Sequence, residues 1–567
     1  MSLLFKPNGT LDIATEATDL PEESGNGSSA SEALARCKNV ITDRKGRVDT
    51  RHGSSRPTSL KLTAIANFII EQSGNRYSFA GDSIYKDEVS IVSSLTDAQW
   101  SAIKYNAFND TIQRIFALNG TDRKKINGTT VEEWGIDPPT VVPTLAVGAG
   151  TGLTGDFNIK YTYAVKSGST VITESNPSDA ASSAQTLSNE DLKVTWTAST
   201  DSQVTHVRLY RTLSGGLIYF HDQDIAVGTV TIDTSTTDAN LGGEVDTDHN
   251  RPPLGSVVIG PLYNGLCFII QDNLLYWCKD KQPEYWPTNN FIEVGPPQFP
   301  GKTAISLDGQ LYVLTRNILW FIQGTTSGAF KPIPFESLAG SLNIFAAIGV
   351  KGRGIYHLGQ DGIYLFSGGV DRKVSEKGFE PIFPDTAGDS GTTTNGVALV
   401  PADNTTLWLR QYQNSIYFHW GEGNILATNL ESNKTRYLKY DLRLSAPTVD
   451  VTNALFFVGD SGSHIRQIED PSVTTDIGNG IDWEVQSKDF TLQTRSHFPR
   501  WAKYDVDIGT ATNLKGEIIL DDVIHQAHTL TVSRKTKQRL IKEGNGERAA
   551  IRISGTGPAT VYMAEME

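Results

Sequence analysis

GQLYVLTRNILWFI, residues Gly309–Ile322, and GIYHLGQDGIYLF, residues Gly354–Phe366, together decide the fold. In each, an apolar run rich in β-branched and aromatic residues meets a short polar turn, and a second apolar run follows. That pattern reads as a β-hairpin whose strands each have an apolar face. A single hairpin of this kind cannot bury that face, so copies at a regular interval predict radial stacking.

Copies lie on both sides. Upstream are RYSFAGDSIYK (Arg76–Lys86), RIFALNGTDRKKI (Arg114–Ile126) and GLCFIIQDNLLYW (Gly265–Trp277). Downstream are VALVPADNTTLWL (Val397–Leu409), SIYFHWGEGNILAT (Ser415–Thr428) and ALFFVGDSGSHIRQI (Ala454–Ile468), making eight in all. Matching positions are 37 residues apart from Phe79 to Phe116, 45 from Phe268 to Val313, 43 from Val313 to Tyr356 and 40 from Tyr417 to Phe457. One four-stranded propeller blade takes roughly 40 to 50 residues. Leu399 and Tyr417 are only 18 apart and belong to one blade. The expected fold class is therefore all-β: a β-propeller of six or seven blades with two additions.

The first addition is an insert, because Phe116 and Phe268 are 152 residues apart. Prolines mark its edges, Pro138, Pro139 and Pro143 at one end and Pro252 and Pro253 at the other, where they stiffen linkers. The strands NIKYTYAVKSG (Asn158–Gly168), LKVTWTAST (Leu192–Thr200) and VTHVRLYRTLS (Val204–Ser214) suit an immunoglobulin or fibronectin type III-like β-sandwich, and the Tyr-x-Tyr-x-Val run resembles the latter. The second addition follows residue 478, where the repeat gives way to long alternating strands of a closing β-sandwich. The expected division is an N-terminal arm with little core (1–55, with a helix expected over Ser31–Arg36), the first part of the propeller (56–137), the insert (138–253), the second part (254–478) and a C-terminal β-sandwich (479–567).

Composition narrows the classes. With 567 residues, 52 glycines, 51 aromatics and 20% charged residues, the usage is that of a turn-rich β protein. Three cysteines, Cys37, Cys267 and Cys278, exclude a disulfide framework and suit folding in a reducing cytosol. MSLLFKP at the start has too short an apolar run for a signal peptide or a membrane span. A net charge of −14 argues against holding nucleic acid by counterion release, yet a wall that repels phosphate suits its passage.

Catalytic patterns are weak throughout. The chain has no Gly-x-Ser-x-Gly elbow, phosphate loop, His-Glu-x-x-His or Cys-x-x-Cys. His357 and His419 fall inside blade strands and read as satisfied strand residues. Asp233, Asp238, Glu244, Asp246 and Asp248 could surround calcium but lack the spacing of a calcium loop, so a solvated turn is expected. Ser306–Tyr312 (SLDGQLY) shares only the start of the sialidase repeat Ser-x-Asp-x-Gly-x-Thr-Trp. The basic run Arg534–Arg539 (RKTKQR) reads as a hairpin tip or a surface for an acidic partner. No catalytic, cofactor-binding or metal residue is assigned, no cofactor is expected, and an enzyme is not.

Three stretches resemble the tail nozzle, or tail tubular protein B-like, proteins of short-tailed bacteriophages. ARCKNVITDRKGRVDTRHG (Ala35–Gly53) is similar to that family's opening strand and Asp/Gly turn, with Arg51-His-Gly53 where the family carries a proline form. Leu262–Asn290 matches its central hairpin at Gly265, Tyr276, Tyr285 and Trp286. Phe490–Val506, with its Phe498-Pro-Arg-Trp501 turn, resembles its closing sandwich. The resemblance implies a virion tail protein made in the bacterial host cytoplasm. Its partners would be five further copies in a hexameric ring, a tail adaptor protein, tail fibres or spikes, and duplex DNA passing during ejection without specific binding. Under this reading Gly324–Lys331 and Asp385–Val397 are loops long enough to gate a channel. A receptor- or glycan-binding propeller is the alternative, and a glycosidase the third class.

Overall fold

Seven of the eight hairpins form the middle of four-stranded antiparallel sheets in the computed structural model. It describes residues 2–567 except 13–16, 18–19, 21, 26–27, 43–46, 108–109, 327, 376–377, 384–392, 395, 402–405, 493–498, 535 and 541–545. The first sheet runs Ala66–Gln72, Asn75–Ala80, Ser83–Lys86, Val89–Val92 in simple up-and-down order. The same order recurs over 101–133, 258–293, 301–334, 347–373 and 408–439. The seventh sheet has only three strands of its own, Leu444–Val449, Phe456–Asp460 and Ile465–Asp470, and takes its fourth from Gly53–Ser55 near the N-terminus. These are the blades of a β-propeller, seven among the described residues, and the last is closed by the strand Gly53–Ser55.

The turns explain the local choice of hairpin. Asp308 and Gly309 have φ of 50° and 73°, the paired left-handed residues that a two-residue hairpin requires. The expected eighth hairpin at Val397–Leu409 does not form. Val397–Ala398 pairs with Thr393–Thr394, and Trp408–Tyr412 is instead the first strand of the next blade. The misreading came from apolar residues on both sides of a polar stretch, which mimic a hairpin without pairing.

Two compact units divide the chain: Met1–Asp97, Leu314–Leu319 and Pro334–Glu567 form one, Ala98–Val313 and Trp320–Ile333 the other. In the first, the leading strands of the blades pack in series, Ala347–Val350 on Trp408–Tyr412, that on Leu444–Val449, and that on Ala66–Gln72. In the second, Ser101–Tyr105 packs on Val258–Ile259, which packs on Gly301–Leu307. Packing through the first strand of every blade is the radial arrangement expected of a propeller.

The second unit also holds the insert. Its strand Ile159–Ser167 pairs antiparallel with His206–Thr212, Tyr161 opposite Leu209, in a four-stranded sheet. Across from it lie Thr144–Val147, Leu192–Thr195 and Thr231–Thr234. Tyr161, Leu209, Val194 and Trp196 fill the space between, so this is a β-sandwich.

Residues 1–55, expected as an arm, are woven into the C-terminal sandwich. Ser2–Leu11 pairs with the last strand, Thr560–Met566, with Leu3 opposite Met566. Phe5, Leu11 and Leu34 are buried in the same core as Trp483, Ile551 and Tyr504. The expected helix over Ser31–Arg36 is two strands, Ser28–Leu34 and Arg36–Lys38. Ser28–Leu34 lies parallel to Ser2–Leu11, and sheet pairing overrides its helical propensity. Arg36–Lys38 joins two bodies: Lys38 pairs with Tyr437 at the outer edge of blade 408–439 and with Glu484 of the sandwich. That ten-stranded sheet is continuous from blade to sandwich, and the strand covers two edges that would otherwise be unpaired. Among the described residues there is no α-helix, only the short 3-10 turns Asp238–Asn240 and Glu380–Ile382. No helix there is long and apolar enough to cross a membrane.

Candidate functional site

A polar node holds the join together. Asn39 sits at the bend after Lys38 with φ of 55°, a conformation that asparagine tolerates better than most residues. Its amide donates to Asp482 O at 2.7 Å on the sandwich side. Its Oδ1 accepts from Lys439 N at 2.6 Å on the blade side and from Arg51 Nε at 3.0 Å. Arg51 is fully buried, forks onto Asp476 through both terminal nitrogens, and lies over the Tyr440 ring at 3.9 Å. The Tyr440 hydroxyl donates to Glu469 Oε1 at 2.6 Å. Burial raises the Glu469 pKa, and the opposing charge of Arg51 only partly offsets it.

Beside this node a cavity of about 350 Å³ opens. One wall is the blade 408–439, where Tyr417, Ala427 and Arg436 stand opposite one another on three neighbouring strands. The small Ala427 between two long side chains leaves the hollow. Tyr412, Asn429 and Lys434 continue this wall, and Ile41, His52, Glu469 and Pro471 form the other. Gln413, Ser432 and Pro471 are exposed and rim the mouth; Tyr417 and Glu469 are 7% and 5% exposed at its floor. Burial and the neighbouring Arg436 lower the Lys434 pKa. A second, shallower hollow of about 380 Å³ covers the row Lys38, Glu484, Ser554 and Lys515, in which one acid and one serine lie between two lysines.

The residues singled out in the sequence are dispersed. His419 is buried and stacked on Trp408; Nδ1 donates to Thr406 O at 2.9 Å and Nε2 accepts from Leu444 N at 3.3 Å. His357 lies between Gly340 O at 2.8 Å and Asp371 at 3.1 Å. Both are satisfied strand residues. Asp238 pairs with Arg211 at 2.9 Å, while Asp246 takes Lys279 and His249, so these acids serve separate ion pairs. Among the described residues no three His, Cys, Asp or Glu converge as metal ligands. The three cysteines are buried free thiols.

Ser306–Tyr312 is simply the turn of its blade hairpin. Arg534 lies over Tyr562 at 3.8 Å and pairs with Asp505 at 2.9 Å, and Lys537 lies over Trp501 at 4.6 Å. The acidic surface that the basic run faces thus belongs to its own chain, while Lys535 lies outside the described residues. Loop 324–331 is anchored by buried Phe330, which packs on Trp277 at 5.0 Å and Phe268 at 5.7 Å. Most of Asp385–Val397, and Phe498 of the closing turn, lie outside the described residues. The sequence reading missed the node and the cavity; the positions of Asn39 and Arg51 within the resembling stretch were the available signal.

No protein-family model and no curated protein matches the chain. Among solved structures it is similar to the computationally designed Ika8 protein, with 8% identity and a TM-score of 0.35 over 73% of this chain and 98% of that one. It is similar to BamB from Moraxella catarrhalis, with 11% identity and a TM-score of 0.32 over 74% of this chain and 99% of that one. Raptor from Chaetomium thermophilum matches with 7% identity and a TM-score of 0.34 over 76% of this chain and 29% of that one. These likenesses are loose, and the fold rests on the strand order described above.

Proposed function

We propose that this chain is a structural, non-catalytic subunit of the tail nozzle of a short-tailed bacteriophage. Six copies would form a ring through which DNA leaves, with an adaptor protein above and fibres or spikes at the side. One observation carries the reading. The stretch that resembles the nozzle family, Ala35–Gly53, is the same stretch that sutures the blade 408–439 to the sandwich and leads into the strand closing the last blade. A part that must transmit force gains from such a suture, since load passes through paired strands rather than through a linker.

The net charge of −14 suits a wall along which duplex DNA slides without condensing. The mass of the purified chain by light scattering tests the assembly. A closed species near six times 61.8 kDa is expected, and a monomer at every concentration would overturn the ring.

A further inference from the structure

We infer that the cavity between the blade 408–439 and the Glu469 wall binds a carboxylate-bearing sugar residue, a hexuronate unit of a polysaccharide. Its volume of about 350 Å³ falls in the small-molecule range of roughly 300–1,000 Å³. The floor carries polar groups that the fold leaves open. Among the described residues the Tyr417 hydroxyl makes no hydrogen bond, although the residue is 7% exposed. Glu469 lines the cavity, its Oε1 accepting from the Tyr440 hydroxyl at 2.6 Å.

The identity of the ligand follows from the mixture of groups. Lys434, whose ammonium has no partner among the described residues, stands beside Arg436, and two neighbouring cations on one wall favour an anion. A simple inorganic anion would leave Glu469 on the opposite wall without a donor. Sugar hydroxyls donate to a carboxyl group, and they both donate to and accept from a phenol. The rings of Tyr412 and Tyr417 add apolar faces for the C–H side of a pyranose, and Ser415 and Asn429 add further hydrogen-bonding groups. A carboxylate at the Lys434 and Arg436 end, with hydroxyls toward Tyr417 and Glu469, meets both walls. The inference rests on the cavity alone and is independent of ring assembly.

Isothermal titration of the full chain tests it with a panel of galacturonate, glucuronate and mannuronate trisaccharides, their methyl esters, and inorganic phosphate. At least one uronate is expected to bind, with its methyl ester at least tenfold weaker and phosphate weaker still. Ala427→Leu, which fills the hollow, is expected to abolish binding, and Lys434→Gln at the half-buried wall to weaken it about tenfold. Near-UV circular dichroism of both variants verifies that they fold. No binding across the panel, an ester as tight as its acid, phosphate as tight as a uronate, or undiminished binding by folded variants would each overturn the assignment.

Discussion

Arg51 shows how one side chain serves several elements. Buried completely, it is tolerated only because Asp476, Asn39 and backbone carbonyls complete its hydrogen bonds. Removing one member of such a pair strands the other charge, which typically costs about 3–5 kcal/mol. Arg51→Met is therefore expected to lower the urea midpoint of the unit that contains it, and an unchanged midpoint would show the node to be dispensable. His419 makes a prediction about pH. Burial pushes its pKa down to about 3, whereas in the unfolded chain it titrates near about 6.5, so as pH falls the unfolded state binds the proton first. The stability contributed by the neutral ring is complete above pH about 6.5. It is lost as pH falls from there toward 3, by about 1.4 kcal/mol per pH unit. Urea midpoints measured from pH 7 to pH 4 should fall less steeply in His419→Gln than in the parent chain.

At the scale of elements, the closing strand Gly53–Ser55 depends on close approach. A Cβ on Gly53 would lie 2.2 Å from Thr475 O and 2.7 Å from Thr475 N, backbone atoms that cannot yield without moving the strand. Gly53→Ala is expected to open the last blade, seen as faster amide exchange over 444–470 than in the parent. Loop 324–331 makes a contrasting case, seated by the Phe330 ring beside hydrogen bonds from Tyr263 to Gly324 O and from Asn264 to Thr325 O. Phe330→Ala should cost about 3–5 kcal/mol locally and expose the loop to protease, while an unaltered cleavage pattern would show that Phe330 is not its anchor.

The seven hairpins were legible because alternation and turn chemistry act within a dozen residues. The N-terminal strands were not. Arg36–Lys38 and Gly53–Ser55 are three residues each, and their partners lie some 400 positions away, so no local period marks them. The node was hidden for the same reason. Asn39 and Arg51 are ordinary polar residues until Asp476 and Lys439 are brought to them.

For the whole molecule, the propeller, insert and sandwich are all built of β-strands, and among the described residues no three His, Cys, Asp or Glu converge as metal ligands. The N-terminal segment is the economy of the design, joining blade 408–439 to the sandwich and closing blade 444–470 within twenty residues of chain. The acidic balance predicts weak contact with duplex DNA, with a shallow salt dependence because few phosphates are neutralised. The most direct measurement is negative-stain imaging of the largest species the purified chain forms. The account predicts six-fold rings with a central opening that admits duplex DNA. Particles without six-fold symmetry, or closed at the centre by the body of the subunits, would contradict it.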